Sequence, residues 1–252
     1  MRESWSDSWR TIRGVVRSLR IYYGSGARRA AMHRLYGQFV RPGDLVFDVG
    51  AHVGDRVGAF RRLGARVVAV EPQPALVTTL KLIYGRDRAV TIEPVAVGAA
   101  TGTIDLKLNV DNPTVSTASE DFLRAAEGAV GWEGQAWTRT IRVPLVTLDV
   151  LAARHGVPAF IKIDVEGFEA QALAGLTRPP PALSFEFTTI QRDVAVTCLE
   201  RCAALGYTRF NAMLGESHAL VQPGWVGAEE IAAWLAALPQ RANSGDIYAR
   251  LA

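Results

Sequence analysis

The chain has 252 residues, 49% of them hydrophobic, with 28 basic and 25 acidic side chains and a formal net charge of +3. That length and apolar content suit one α/β domain with embellishments, residues 1–252, and require no second one. No uninterrupted apolar run reaches the about eighteen residues of a spanning helix, and no secretory leader pattern opens the sequence. A cytoplasmic enzyme is therefore expected. Cys198 and Cys202 lie four apart on a predicted helix; two thiols cannot complete a structural zinc site, so both are read as packing residues.

Residues 2–41 are locally basic, with arginine at 2, 10, 13, 17, 20, 28, 29, 34 and 41 against Glu3 and Asp7. Trp5, Trp9, Ile12, Val16, Leu19 and Tyr23 recur at helical spacing beside Arg10, Arg13, Arg17 and Arg20, which predicts an amphipathic helix ended by Gly24-Ser-Gly26. A second helix is expected over 27–39, before the turn Arg41-Pro42-Gly43. This pair, residues 1–41, is read as a cap that walls the acceptor pocket. Simple packing with solvated arginines is the plainer alternative, and adsorption to an anionic membrane or nucleic acid the minor one.

Leu45, Val46, Phe47 and Val49 form a short apolar run that breaks at glycine, as a strand buried on both faces does. A helix over 55–63 and a second apolar run, Val67–Val70, complete a βαβ unit. Gly50 and Gly54 are expected to let the backbone approach a ligand, and Glu71, roughly twenty residues on, stands where such folds place an acid for ribose hydroxyls. A dinucleotide turn would need glycine at His52 to admit a pyrophosphate. A nucleoside cofactor without phosphate but with an amino-acid tail fits better, because Asp48 can hold an ammonium and would repel phosphate. S-adenosylmethionine has those parts.

Pro72 and Pro74 open a helix running to Gly85. Val90–Val97 reads as a third strand, with Thr103–Leu108 as a half-exposed strand added to it. Residues 109–140 are irregular, with a short helix over 119–127 and two tryptophans, Trp132 and Trp137, that either stack on a sugar or close the core. An insertion of this kind is expected to be a lid or acceptor-recognition loop. Strands follow at 141–146, 160–163, 183–187 and 207–213, a short one at 218–221, and a last, antiparallel one at 246–251. Helices are expected over 147–155, 193–205 and 228–238.

Asp48-Val-Gly-Ala-His-Val-Gly54, Val70-Glu-Pro-Gln-Pro74, Pro94-Val-Ala-Val-Gly98 with Gly102, Thr147-Leu-Asp149, and Ile161-Lys-Ile-Asp-Val-Glu-Gly167 with Glu169 resemble the FkbM family of S-adenosylmethionine-dependent methyltransferases. The similarity runs from about Pro42 to Gly245-Asp-Ile-Tyr-Ala-Arg250, and the Lys-Ile-Asp-Val-Glu-Gly element is its most specific part. It implies a class I methyltransferase fold: a doubly wound, Rossmann-like seven-stranded sheet with the last strand antiparallel. It also implies that Asp48, Gly50, Ala51, His52 and Gly54 surround the amino-acid part of the cofactor, Glu71 and Pro72 the ribose, and the 93–97 segment, with Ala96, the adenine. One departure from the pattern is His52, where many members carry asparagine; either side chain can hydrogen-bond the cofactor.

A hydroxyl acceptor, small-molecule or saccharide, is what the resemblance implies, and its proton needs a base or a metal to leave. Asp164, Glu166, Glu186 and His52 are the candidates by position, and Asp164 with Glu186 could share a divalent ion such as Mg²⁺ through oxygen ligands. A homodimer is left open. The competing functions are a nicotinamide-dependent oxidoreductase, a nucleic-acid methyltransferase and a cofactor-binding protein without turnover.

Overall fold

Short runs of valine, isoleucine and phenylalanine, each broken by glycine, proline or a carboxylate, become the strands of one twisted sheet. The computed structural model describes residues 5–252; Arg2, Glu3 and the side chains of Trp5 and Asp7 lie outside the described part. The cap comprises α1 (Trp5–Tyr23) and α2 (Gly26–Tyr36), whose first turn is closed by Ser25 Oγ accepting from Arg28 N at 3.2 Å. Then come β1 (Leu45–Val49), α3 (Asp55–Arg62), β2 (Arg66–Val70), α4 (Pro74–Tyr84) and β3 (Val90–Glu93). After a smaller sheet, described below, and the helices α5 (Glu120–Ala126) and α6 (Leu148–His155), the main sheet resumes. It continues with β7 (Phe160–Ile163), α7 (Glu169–Ala174), β8 (Ala182–Thr188), α8 (Arg192–Ala204), β9 (Arg209–Leu214), α9 (Ala228–Ala237) and β10 (Ser244–Arg250).

The seven main strands lie in the order β3-β2-β1-β7-β8-β10-β9. All are parallel except β10, which runs antiparallel between β8 and β9. This is the class I methyltransferase arrangement expected from the sequence. The order reverses between β1 and β7, so their carboxyl ends splay apart and leave a crevice there.

Side-chain alternation assigns the two faces. Leu45, Phe47, Val49, Ile161, Ile163, Leu183, Phe185 and Ile247 pack with α7, α8 and α9 on one side. Val46, Phe160, Ala182 and Tyr248 pack against Met32, Tyr36 and Phe60 on the other. On this second face the chemistry changes along the strands: apolar at one end, then Asp48, Lys162 and Ser184 in register, then Glu186 opposite Asp246. Asp48, Lys162, Glu186 and Asp246 therefore lie on the side covered by the cap.

Four expectations change. The 90–97 strand is two strands: Pro94 interrupts it, and β4 (Ala96–Val97) leaves the main sheet to pair with β6 (Arg139–Val146). The strand β5 (Gly102–Leu108) also pairs with β6, antiparallel, so the alternating segment builds a separate three-stranded sheet rather than extending β3. Residues 218–221 form no strand; His218 has φ +50 and Val221 N donates one bond to Ala212 O. Finally, α1 is rotated relative to the expected stripe. It buries Val15 and Ser18 and packs Leu19, Tyr22 and Tyr23 against Val53 and Leu76, leaving Trp9, Ile12 and Val16 outside.

Trp132 and Trp137 close a satellite core with Phe122 rather than facing open space. Trp137 Nε1 donates to Val115 O at 2.7 Å, which fixes the 109–140 insertion over the crevice. Both cysteines are buried free thiols on α8, as their spacing suggested.

Candidate active site

The turn after β1 is set by a single steric demand. Gly50 has φ +82, and a Cβ there would stand 1.7 Å from Asp164 O, so only glycine lets the β1 turn pass the end of β7. Gly50 N and Ala51 N both donate to Val70 O, at 2.9 and 3.0 Å, tying the turn to β2. Gly54 serves a different neighbour from the one anticipated. A Cβ there would meet Tyr84 at 2.6 Å, so its missing side chain admits α4 rather than a ligand. Tyr84 OH donates to Gly54 O at 2.7 Å and lies 2.9 Å from Tyr23 OH, which anchors α1 over the same turn.

Glu71, at the end of β2, is 3% exposed and accepts from His52 N and Gln73 N, both at 2.9 Å. Each carboxylate oxygen is thus held in place with a lone pair left for a ligand hydroxyl. Burial pushes its pKa up to about 7 against the pull of those two N–H groups. Asp48 is 2% exposed and its Oδ2 has no partner, an arrangement that invites a cationic ligand group. Burial raises its carboxyl to about 7 as well, although the nearby Lys162 ammonium lowers it. His52 stands opposite: burial takes its imidazole down to about 4, so it is neutral, with Nε2 3.3 Å from Thr114 Oγ1.

The other wall comes from β7 and the turn that follows it. Lys162 is 1% exposed, with Nζ 2.8 Å from Asp164 Oδ2 and 3.2 Å from Asp246 Oδ1. Burial alone would pull this ammonium down; the Asp164 and Asp246 carboxylates hold it well above its ordinary value. In return, Lys162 keeps Asp164 below the usual carboxylate range against the effect of burial. Removing the counter-charge has a large expected effect. Lys162→Met should lower unfolding stability by about 3–5 kcal/mol, read as a fall in the urea midpoint; an unchanged midpoint would show that the two aspartates are satisfied without it.

Beyond Asp164 the chain turns at Glu166, φ +54, and Gly167, φ +84. Two contacts hold this strained turn: Glu169 Oε1 accepts from Val165 N and Gly167 N at 2.9 and 3.3 Å, and Thr117 Oγ1 donates to Glu166 O at 2.6 Å. The Glu166 carboxyl, 7% exposed, is raised well above its ordinary pKa by burial and by the carboxylates of Asp164 and Glu169. Glu186 is raised for the same reasons, by burial and by Asp164 and Glu166, and its Oε2 has no partner. One carboxyl oxygen from each of Asp164, Glu166 and Glu186 lies within 4.8 Å of the others. Such a set holds either shared protons or a divalent ion, with Lys162 already occupying one oxygen of Asp164.

Between these walls lies an open crevice of about 880 Å³. Asp48, Gly50, Ala51, His52, Glu71, Pro72, Ala96, Asp164 and Glu166 all line it; Gly54 and Glu186 do not. Val95, Ala96, Val97 and Leu106 make the end beside Glu71 apolar, a surface suited to a flat base. The orphaned Asp48 oxygen, the doubly braced Glu71 and this apolar end together fit a nucleoside carrying an ammonium tail. Sequence reasoning gave no role to Lys162, although a lysine inside Phe160–Ile163 is itself a signal in a strand expected to be buried. Tyr22, Arg56 and Glu216, also in the lining, carried none. They meet only through the fold: Arg56 bonds Asp55 and Glu216 at 2.6 and 2.7 Å, and Arg28 of α2 lies 4.9 Å over the Tyr22 ring.

No curated protein matches the sequence. Among solved structures, a precorrin-6Y C5,15-methyltransferase from Geobacter metallireducens GS-15 is 13% identical over 89% of this chain and 87% of its own, with a TM-score of 0.44. A TehB-like SAM-dependent methyltransferase from Corynebacterium glutamicum is 14% identical over 88% of each chain, with a TM-score of 0.45. A 1,6-didemethyltoxoflavin-N1-methyltransferase from Burkholderia thailandensis, solved with 1,6-didemethyltoxoflavin and S-adenosylhomocysteine, is 13% identical over 100% of this chain and 92% of its own, with a TM-score of 0.39. The Methyltransferase FkbM domain model matches residues 48–237, three quarters of the chain. That match removes the nicotinamide-dependent alternative. With the strand order, the glycine turn, Glu71 and the Lys-Ile-Asp-Val-Glu-Gly loop in place, the chain belongs to the FkbM family of S-adenosylmethionine-dependent methyltransferases.

Proposed function

We propose that this enzyme methylates a hydroxyl group of a small-molecule or carbohydrate-like acceptor. When bound, S-adenosylmethionine supplies a methyl group already activated on sulfonium, so alignment and proton removal are what the protein adds. Glu71 holds the ribose, Asp48 the ammonium, and the Ala96 end the adenine. The acceptor then enters from the side of Tyr22 and the 109–140 insertion, where Thr114 and Ser116 also line the crevice.

The observation that supports a hydroxyl is the state of the carboxyl cluster. A neutral amine can attack first and lose its proton afterwards, whereas an alcohol is too weak an acid to leave the proton behind without help. Asp164, kept ionised by Lys162, is a resident proton acceptor in the crevice. With S-adenosylmethionine bound to supply the methyl group, Asp164 would take the proton of the acceptor hydroxyl. Burial and the neighbouring carboxylates raise Glu166 and Glu186 well above their ordinary range, which favours their neutral forms and limits the charge of the cluster.

The test is release of S-adenosylhomocysteine from a panel of partly built saccharides, polyketide alcohols and amines, each with EDTA and with added magnesium. Turnover with at least one alcohol and no dependence on chelator is expected. Turnover confined to amines or nucleic acid would overturn the hydroxyl reading. Loss in EDTA restored by Mg²⁺ would instead assign the three carboxyl groups to an ion.

A further inference from the structure

A helix that packs one face on a protein ordinarily turns its charged residues outward and its large apolar ones inward. The inner face of α1 obeys this, through Val15, Leu19 and Tyr22. The outward flank beside it does not: Trp9 is 63% exposed, Ile12 52% and Val16 40%, with Ile12 also bordering a groove against Pro74, Ala75 and Leu108. Positions 9, 12 and 16 follow the spacing of a single helical ridge, so the three side chains are neighbours rather than scattered. Next to them Arg13, Arg17 and Arg20 are exposed, and residues 9–23 contain no acid at all. Arg10 and Arg17 are partly engaged by Asp111 and Asn112, but Arg13 and Arg20 form no ion pair among the described residues.

We propose that the outer face of α1 docks on an anionic lipid surface, with Trp9, Ile12 and Val16 entering the headgroup boundary and Arg13 and Arg20 meeting lipid phosphates. An interfacial helix has this make-up: an apolar ridge with tryptophan, a flanking row of basic residues and no span. No described helix is long and apolar enough to cross a membrane. The other partners fit only half of the face. Nucleic acid would use the arginines but leave Ile12 and Val16 in water, and a second copy of this chain would bring the same uncompensated positive charge to the contact. The sequence left membrane adsorption as the minor reading of this helix; the exposed ridge brings it forward.

The test is co-sedimentation of the full chain with vesicles of phosphatidylcholine alone and of phosphatidylcholine with phosphatidylglycerol in equal parts. Binding to the mixed vesicles and not to the neutral ones is expected. Two variants should each weaken it by about tenfold or more: Trp9→Ser with Ile12→Ser and Val16→Ser, and Arg13→Glu with Arg20→Glu. All five side chains are exposed, so melting temperature should not change, and the readout is independent of methyl transfer. Absence of binding to either vesicle overturns the proposal. So does binding that duplex DNA competes away and that the serine variant retains, or a concentration-dependent dimer that the serine variant abolishes.

Discussion

Glu71→Ala is expected to weaken S-adenosylmethionine binding by about a hundredfold or more, because each hydrogen bond to a charged group contributes about 1.5–3 kcal/mol and the proposed site directs both ribose hydroxyls to it. The variant also frees His52 N and Gln73 N, so the turn itself loosens. Asp48→Asn separates the two effects: it leaves that turn intact and removes only the partner of the ammonium, with a smaller loss of about tenfold. Calorimetric titration of both variants reads the difference, and a Glu71→Ala protein that binds as tightly as the parent would remove the acid from the cofactor site. The pH dependence follows from the same two carboxyls. Both are pushed up to about 7 in the ligand-free protein, yet each must be ionised to hold its share of the ligand. Affinity should therefore rise between about pH 6 and 8, with protons released on binding. Stability of the ligand-free enzyme runs the other way. The folded state keeps these protons up to about 7, while the unfolded chain releases them near 3.8 and 4.5. Their contribution to stability is complete at lower pH and is lost as pH rises through that window. Saturating cofactor should flatten the slope.

What the sequence made legible was local. The βαβ unit announces itself through an apolar run, a glycine that nothing else could replace and an acid one strand later. The Lys-Ile-Asp-Val-Glu-Gly loop could be placed at the open edge because ligands in open sheets gather there. Long-range partnership was not legible. Thr103–Leu108 alternates like a strand next to any sheet, and only the break at Pro94 sends its neighbourhood to β6. The two sides of α1 illustrate the same limit more sharply. Trp9, Ile12 and Val16 fall at helical spacing, but so do Val15, Leu19 and Tyr22, and periodicity gives no reason to bury one ridge rather than the other. The glycines divide in the same way. Both were expected near a ligand, yet Gly50 is required by Asp164 O and Gly54 by Tyr84, contacts that exist only once β7 and α4 are in place.

Asp164→Asn should reduce kcat by about a thousandfold, within the 10²–10⁴ range that removal of a positioned proton acceptor gives, while leaving the dissociation constant for S-adenosylmethionine within a few-fold of the parent. The substitution is nearly isosteric and keeps an acceptor oxygen for Lys162 Nζ, now 2.8 Å from Oδ2, so it preserves the contact that Lys162→Met removes. Glu166→Gln is the counter-experiment. Burial and the Asp164 and Glu169 carboxylates raise Glu166 well above its ordinary value and favour the neutral acid, so an amide should imitate it and lower kcat by less than about tenfold. The two residues are two apart on one turn, and any coarse damage to the crevice would strike both variants alike. The acid limb of the pH profile gives a second measure. Lys162 keeps Asp164 ionised below the usual carboxylate range, so kcat should persist through mildly acidic pH and fall only below it. A profile that already falls near neutrality, with Glu166→Gln the more damaged protein, would move the proton acceptor from Asp164 to Glu166.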